Sequence, residues 1–252
     1  AIAAAAGRVI KKVVLELGGS DPFVVLDDAD LGLAVTGAVK SRFINSGQSC
    51  LAAKRFIVHR SVAEQFSRRF ADAVAALHVG DPSDGHSDIG PLARADLVDV
   101  LERQVRDSVA TGAVALTGGH KLDRDGAWFA PTVLTHTTTD MPVMAEETFR
   151  PVAAVITVDD DDTAVQAANA TRYGLGASIW SRDIERALEL GRRITSGALF
   201  VNAVVASDAR LPFGGTKRSG YGRVLGAEGI LEFTNIRTYV VGGTSTSGPP
   251  TE

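Results

Sequence analysis

The stretch from residue 152 to residue 202 constrains the fold more than any other part of the sequence. It alternates short apolar runs of strand length with longer amphipathic runs of helix length, in the order VAAVITV, helix over 160–170, GASIW, helix over 183–194, ALFVN. Gly197 stands just past the end of the second helix. This order is typical of parallel βαβ units. The sequence therefore predicts the α/β fold class, with a largely parallel sheet flanked by helices.

Weaker patterns predict further elements on both sides of this region. Strands are expected over 13–17, 22–26, 55–59 and 237–241. One helix is expected to begin near Asp28 or Asp30, and a second to carry a capping box formed by Ser61 and Glu64. A third is expected around the apolar positions 97, 101, 105 and 109.

Charge and composition exclude several classes of function. The chain has 252 residues, a net charge of −4 and no basic run, so neither nucleic acid nor an anionic membrane surface is an expected partner. No apolar run approaches the roughly 20 residues of a membrane span, and the N-terminus lacks the basic-then-apolar order of a secretory signal. Scattered histidines predict no metal site, and the acidic run 159–162 is interpreted as a solvated helix N-terminus rather than a cation site. These features indicate a cytoplasmic protein.

The chain contains a single cysteine, Cys50. A lone cysteine forms no internal disulfide, which fits a reducing compartment. Composition alone favours a small buried hydrophobic residue. The context favours an accessible thiol, because Asn45, Ser46 and Gly47 mark a turn and turns lie at surfaces. Backbone N–H groups in such a turn can stabilise a thiolate or an oxyanion.

A working thiol needs a base or a water-activating group, and two carboxylates are candidates. Glu16 interrupts the apolar run VVLEL just before two glycines. It is either a carboxylate held at a strand end with a raised pKa or an edge-strand glutamate that faces water. Glu147 in AEETFRP is the other candidate, with an ordinary surface acid as the alternative. No local signature supports a histidine partner of the kind that a Cys-His hydrolase has.

The sequence contains no complete dinucleotide fingerprint. Gly174 and Gly176 begin the pattern G-x-G-x-x-G, but Ile179 occupies the third glycine position, and a second pattern that starts at Gly220 also lacks its third glycine. The phosphate loop G-x-x-x-x-G-K-S/T is absent as well. From these residues alone, nothing in the chain is expected to clamp a pyrophosphate.

Four motifs resemble, in order, those of the aldehyde dehydrogenase superfamily. They are ELGG (16–19), NSGQSC (45–50), EETFRP (146–151) and LPFGGTKRSGYGR (211–223). The segments SDPFVVLDDAD, SGQSCLAAKRFIVH and RLPFGGTKRSGYGR are most similar to the bacterial succinate-semialdehyde dehydrogenase branch. The resemblance implies an aldehyde dehydrogenase catalytic domain with a largely parallel sheet, a remnant of the cofactor domain and a C-terminal bridging strand.

The resemblance also implies a reaction. An aldehyde, with succinate semialdehyde as the expected substrate, is oxidised to a carboxylic acid with NAD or NADP as cofactor. Cys50 attacks the aldehyde as a thiolate, its backbone N–H binds the oxyanion, and Glu16 activates the water that hydrolyses the thioester.

Further site residues follow from the same resemblance. Those expected to bind the cofactor are Leu17, Gly18, Glu147 and Phe149. Those expected near the substrate are Arg42, Ser207 and Arg210, of which Arg42 could meet a substrate carboxylate. The alternative for Arg42 is a solvated arginine at a helix end.

Family members are about twice as long as this chain, and an organisation is expected from that difference. Residues 1–18 are interpreted as a remnant of the dinucleotide-binding domain, 19–232 as the catalytic domain, 233–241 as an oligomerisation strand and 242–252 as a disordered tail. Expected partners are a small aldehyde substrate and either copies of this chain or full-length subunits. Two alternatives to a dehydrogenase remain open. One is an inactive fragment or partner subunit, favoured for the chain alone because apolar surface would be exposed; the other is a cofactor-independent thiol esterase.

Two residues depart from the family motifs. Arg150 stands where glycine is expected in E-E-x-F-G-P, and Val224 stands where glutamate usually follows G-x-G-R. An arginine at a close backbone turn is expected to shift Glu147 and Phe149. Val224 is expected to remove a carboxylate from the path of the hydrolytic water.

Overall fold

The computed structural model describes residues 1–243, and its centre is a seven-stranded sheet in the strand order β4-β5-β6-β3-β2-β8-β9. The strands are β1 (Leu15–Glu16), β2 (Pro22–Val25), β3 (Arg55–His59), β4 (Val114–Thr117), β5 (Thr132–Thr135), β6 (Val152–Val158), β7 (Tyr173–Gly174), β8 (Gly176–Trp180), β9 (Ala198–Val201), β10 (Thr216–Lys217) and β11 (Gly220–Tyr221). The helices are α1 (Ile2–Arg8), α2 (Leu31–Phe43), α3 (Arg60–Ala75), α4 (Ala95–Ala110), α5 (Pro142–Ala145), α6 (Asp161–Asn169), α7 (Ile184–Arg192) and α8 (Gly226–Glu232).

The main sheet is parallel apart from its antiparallel edge pair β4–β5, so the predicted α/β fold class is confirmed. The strands predicted from 152–202 are β6, β8 and β9, and the predicted helices between them are α6 and α7. Both helices begin after aspartates that cap them: Asp160 accepts from the backbone N–H of Thr163, and Asp183 accepts from that of Arg186. The strands β3 and β2 lie between β6 and β8, which the local pattern does not predict.

Successive side chains of the central strands point to opposite faces, and each face has its own core. Phe23 and Val25 of β2 pack in the cluster formed with α2 and α3, whereas Val24 packs in the cluster formed with α6 and α7. In the first core the ring centroids of Phe23 and Phe56 lie 5.1 Å apart, and those of Phe56 and Phe70 lie 4.9 Å apart. Burial on both faces fixes the ends of β2 and β3, to which the site loops attach.

The predicted capping box of Ser61 and Glu64 is wrong. Helix α3 begins at Arg60, and His59 is its N-cap, with its Nδ1 accepting from the Ser61 N–H at 3.3 Å. Strand β3 runs directly into the helix, so the cap falls on the last residue of the strand. Glu64 instead pairs on the surface with a neighbouring arginine one turn along the helix.

The predicted strand over 237–241 does not form in this chain. Residues 235–243 follow α8 without regular secondary structure, and Ile236 and Val241 are 99% and 93% exposed. A strand needs a hydrogen-bonded neighbour, and no strand of residues 1–243 pairs with this segment. The predicted disordered tail, 242–252, lies outside the described residues from position 244 onward.

Three of the four carboxylates in the acidic run at 159–162 pair with arginines. Asp160 caps α6, and the other three carboxylates pair as Asp159–Arg60, Asp161–Arg186 and Asp162–Arg193. Within residues 1–243 no group of three or more histidine, cysteine, aspartate or glutamate side chains is placed to hold a metal ion. In the same range, no helix combines the length and apolar character that crossing a membrane requires.

Candidate active site

Three loops meet at the amino-terminal edge of the sheet. Gly18 and Gly19 precede β2, Cys50 precedes β3, and Glu147 precedes β6. Because β2, β3 and β6 lie side by side and run parallel, the loops that enter them reach the same edge. Open α/β sheets usually bind ligands beyond the carboxyl ends of their strands. This site lies instead at the opposite, amino-terminal edge.

The predicted turn before the cysteine is present, and its backbone is left-handed. Asn45, Ser46 and Gly47 have φ values of 49°, 55° and 73°. This region costs roughly 1–2 kcal/mol for a residue with a Cβ. A Cβ at Gly47 would also lie 2.5 Å from the backbone oxygen of Arg150, so glycine is required there by space as well as by φ. The turn is thus fixed against the loop that precedes β6.

Cys50 lies half-buried at the end of this turn. Burial raises the pKa of the Cys50 thiol, the Lys54 ammonium lowers it, and the carboxylates of Asp21 and Glu16 raise it. Cys50 and Glu16, the two predicted catalytic groups, therefore lie within electrostatic reach of each other. In the part of the chain that the structure describes, the backbone N–H of Cys50 has no acceptor, which leaves it available to an oxyanion.

The two glycines of ELGG make room for two different groups. A Cβ at Gly18 would lie 2.2 Å from Oε2 of Glu147, and a Cβ at Gly19 would lie 2.8 Å from the carbonyl oxygen of Cys50. The N–H of Gly19 also donates to Oε1 of Glu147 at 2.8 Å. The loop before β2 is therefore the surface on which the cysteine loop and the Glu147 loop both pack.

Glu16 reaches the site from a two-stranded ribbon beside the main sheet. Strand β1 pairs antiparallel with β11, which places Glu16 opposite Gly220. Its Oε1 lies 3.0 Å from the point that a Cβ on Gly214 would occupy. Burial raises the pKa of Glu16, and the Arg223 guanidinium opposes the rise. The residue is nevertheless exposed, so both features considered in the sequence, a raised pKa and access to water, occur together.

Exposed apolar side chains lie next to these groups. Leu17 is 49% exposed and Phe149 is 36% exposed, while the Glu147 side chain is 20% exposed. The ring of Phe149 has its centroid 5.8 Å from Nζ of Lys54. Two apolar groups beside a carboxylate suit a ligand that has a flat ring next to a hydroxyl-bearing group.

Arg42 is not placed to meet a substrate. Its side chain is fully buried, and its two terminal nitrogens donate to the carbonyls of Ala53 at 2.9 Å and Gly47 at 2.7 Å. The expectation of a substrate contact is therefore wrong, and so is the alternative of a solvated arginine. Of the N–H donors on the guanidinium, those on the two terminal nitrogens bind the two ends of the cysteine loop from inside the protein, and Nε is buried without a hydrogen-bond partner in the described chain.

Ser207 and Arg210 lie in the exposed segment before the PFGG loop. Ser207 lines a cavity of about 320 Å³ together with residues of β9. Arg210 donates from Nε and Nη2 to the Asp208 carboxylate at 2.9 and 2.6 Å, and this contact lowers the pKa of Asp208 to about 2. Within residues 1–243 no hydrogen bond joins either side chain to the cysteine loop.

The sequence prediction missed two charged residues under the cysteine loop. Lys54 and Asp21 are 0% and 1% exposed. Burial lowers the pKa of Lys54 and raises that of Asp21, and each group's charge opposes the other's shift. The sequence offered one signal for them: both residues stand just before apolar strands. A charged side chain at that position either points to solvent at the edge of the sheet or is buried.

The two departures from the family motifs sit in different surroundings. Arg150 has no positive φ, so its backbone does not require glycine, but its Nε is buried without a hydrogen-bond partner in the described chain. Glu147 packs on Gly18. Val224 exchanges two backbone hydrogen bonds with Phe213, at 2.7 and 2.8 Å. This pair closes the loop that carries Gly214.

Comparison with known proteins identifies relatives along almost the whole chain. The model of the aldehyde dehydrogenase family matches residues 1–239. A probable NADP(+) succinate-semialdehyde dehydrogenase of Synechocystis is 52% identical over 235 residues, covering 93% of this chain and 52% of that protein. The succinate semialdehyde dehydrogenase [NAD(P)+] Sad of Escherichia coli K12 is 49% identical over 238 residues, covering 94% of this chain and 52% of that protein. The chain thus spans about half the length of the curated relatives it matches.

Solved structures agree with this assignment. An E. coli NADP dependent enzyme superposes with a TM-score of 0.89 at 38% identity, covering 92% of this chain and 48% of that chain. Betaine aldehyde dehydrogenase of Staphylococcus aureus in complex with NAD+ gives a TM-score of 0.88 at 34% identity, covering 92% and 47%. Fold, motif order and family match agree, and the chain belongs to the aldehyde dehydrogenase family.

Proposed function

We propose that this chain carries the catalytic groups of an NAD(P)-dependent aldehyde dehydrogenase that oxidises succinate semialdehyde. The observation that carries the proposal is the convergence of Cys50, Glu16 and Glu147 around residues 16–19. The names of the relatives in Synechocystis and E. coli support this choice of substrate and cofactor.

The chain's own residues divide the reaction into two halves. Sγ of Cys50 attacks the aldehyde carbon, and the free Cys50 N–H donates to the oxyanion that forms. A bound nicotinamide supplies the hydride acceptor. Glu16 takes a proton from the water that hydrolyses the thioester on Cys50, which releases the carboxylic acid and restores the thiolate. The raised pKa of Glu16 makes it a stronger base than an ordinary carboxylate.

The residues around this pair fit the nicotinamide end of the cofactor. Leu17 and Phe149 offer exposed apolar surface to the ring, and Gly18 lets the chain approach it closely. Oε1 of Glu147 already accepts from Gly19, which leaves Oε2 to accept from a ribose hydroxyl. The pyrophosphate has no counterpart motif in this sequence.

For the substrate carboxylate, we propose Arg210 with Ser207 at the mouth of the site. Asp208 neutralises Arg210 in the observed arrangement, so a bound carboxylate competes with Asp208 for the guanidinium. Arg210→Gln should then raise KM for succinate semialdehyde more than KM for an uncharged aldehyde of similar length. Equal changes in both KM values would remove Arg210 from the substrate site.

We also propose that residues 233–241 contact another subunit. The segment has no regular secondary structure beyond α8 and carries exposed apolar side chains, including Ile236 and Val241, and its backbone has no strand partner among residues 1–243. These are the properties of a strand that completes its hydrogen bonds on a neighbouring sheet edge. The division of the chain at residues 18 and 232 is part of the same proposal.

The deciding experiment follows two reactions in parallel. The chain is incubated with NAD or NADP and succinate semialdehyde while NAD(P)H absorbance is recorded, and separately with p-nitrophenyl acetate. Dehydrogenase turnover that disappears in Cys50→Ala and falls steeply in Glu16→Gln supports the proposal. Glu64→Gln is the matched control, because Glu64 is an exposed acid on α3 outside the site.

A second candidate function is that of a cofactor-independent thiol esterase, in which the Cys50 thiol hydrolyses an activated ester. Acylation of Cys50 and deacylation by Glu16 need no hydride transfer, and both groups are present in a chain that lacks a dinucleotide fingerprint. Ester hydrolysis that depends on Cys50, with no NAD(P)H formed, selects this function. Inactivity in both assays selects a partner subunit without activity of its own.

A further inference from the structure

Two buried cations bind the cysteine loop from inside the protein. Lys54 Nζ donates to the carbonyls of Ser49, Cys50 and Ala52 at 3.3, 3.4 and 3.0 Å. Arg42 donates to the carbonyls at the two ends of the same loop, Gly47 and Ala53. An ammonium has three N–H donors, so these carbonyls account for all of those on Lys54.

Burying the Lys54 ammonium costs free energy unless nearby groups compensate its charge. A fully buried ammonium loses its hydration, and such a group is normally held by a carboxylate in direct contact. Here the closest carboxylate oxygen is Oε1 of Glu147, at 4.0 Å, and Asp21 makes no ion pair with Lys54 within 4.0 Å. Asp21 Oδ2 is itself buried without a hydrogen-bond partner in the described chain. The positive charge is therefore incompletely compensated and lies beneath the one thiol.

We propose that Lys54 is the positioning residue of the nucleophile: it holds the loop 49–52 by its carbonyls and stabilises the negative charge of the Cys50 thiolate. The inference rests on the proposed role of Cys50. Other charges face the same two groups. Asp21 and Glu16 act on Cys50 in the direction opposite to Lys54, while Arg42, Asp21 and Glu147 act on Lys54. Lys54 acts on the thiol in the direction that favours the thiolate, against the two carboxylates.

The test uses the single cysteine of the chain as its own reporter. The rate of alkylation of Cys50 by iodoacetamide is measured from pH 6 to pH 11 in the 252-residue chain, and its midpoint gives the pH at which the thiolate forms. Burial lowers the pKa of Lys54 to about 8, so its charge acts fully on the thiol only below that pH. In Lys54→Met, alkylation below pH 8 should therefore slow about tenfold, and the midpoint should rise. Lys54→Arg, which keeps the charge, should retain the wild-type midpoint.

Arg55→Met is the matched control for the loss of a buried cation. Arg55 is also almost completely buried, but its guanidinium donates to the carbonyls of Ser20, Ala167 and Ala168 rather than to the cysteine loop. The midpoint of Cys50 alkylation in Arg55→Met should equal that of the wild type. Circular dichroism establishes which variants are folded. If Lys54→Met is unfolded, Lys54→Gln replaces it, and Lys54→Arg tests the charge in either case.

The outcomes separate this inference from the proposed function. An unchanged midpoint in Lys54→Met or Lys54→Gln, an equal shift in Arg55→Met, or an equal shift in Lys54→Arg each overturns the role of Lys54. Absence of NAD(P)H formation by the wild-type chain overturns the dehydrogenase and leaves the alkylation result intact.

Discussion

Replacing Gly19 by alanine puts a methyl group where the cysteine loop now packs. The added Cβ would lie 2.8 Å from the carbonyl oxygen of Cys50 and 3.3 Å from two atoms of Leu175. Ordinary contact begins at 3.4 Å, so the carbonyl must move by about 0.6 Å. Overpacking of this kind costs about 1–3 kcal/mol, and the upper half of that range applies because the obstacle is backbone rather than a flexible side-chain end.

Urea unfolding followed by circular dichroism measures this cost. A loss of about 2–3 kcal/mol should lower the unfolding midpoint by roughly 1 M, with the slope unchanged. The displaced carbonyl also moves relative to Lys54, so the alkylation midpoint of Cys50 should change in the same variant. Gly7→Ala is the control: that glycine lies in α1 with nothing within 4 Å of the added Cβ, and alanine there should stabilise by up to about 1 kcal/mol. A Gly19→Ala chain as stable as the wild type would refute the packing argument.

Three further predictions concern the base, the core and a helix cap. Because burial raises the pKa of Glu16 above its usual 4.5, hydrolysis of the acyl-enzyme should fall with decreasing pH at a higher pH than for an ordinary glutamate. A burst assay measures the rate of acyl-enzyme hydrolysis as the pH is lowered toward the pKa of an ordinary glutamate. A hydrolysis rate that does not change with pH there would exclude Glu16 as the base. Phe70→Ala should cost about 3–5 kcal/mol in thermal or urea unfolding, because this ring is fully buried against Phe56 and Phe66; a loss below 1 kcal/mol would contradict that packing. Asp160→Ala should cost about 1 kcal/mol through loss of the α6 cap, and no change would mean that Thr163 caps the helix without it.

Local patterns predicted those features that depend on nearby residues. The helix expected around positions 97, 101, 105 and 109 is α4, in which Leu101 and Val105 are buried, and the strand over 55–59 has the predicted bounds. The order of strands in the sheet was not predictable, because each parallel pairing joins segments that are far apart in sequence. The cap of α3 was misplaced because the strand leads into the helix without a loop.

In the candidate site, too, the sequence predicted what depends on local residue pattern and not what depends on packing. Motifs identified Cys50, Glu16 and Glu147, since their chemistry stands out against apolar or glycine-rich neighbours. They did not distinguish Arg42 and Lys54 from solvated charges, because the sequence gives a residue's charge but not the direction in which its side chain leaves the backbone. Only the packed structure shows that both side chains turn inward, toward the carbonyls of one loop.

The ribbon that carries Glu16 can form only late in folding, because its two strands lie at opposite ends of the chain. Its partner, Gly220, follows 204 positions later, and closing a loop of that size costs about 5 kcal/mol of chain entropy. Two facing residue pairs cannot offset such a cost alone, so the ribbon must dock on a sheet that is already folded. During synthesis the thiol therefore reaches its final environment before its water-activating partner does. A nascent chain that has folded the main sheet through β9 but not yet released Gly220 would present a thiol that can be acylated before Glu16 is held in place to complete the turnover.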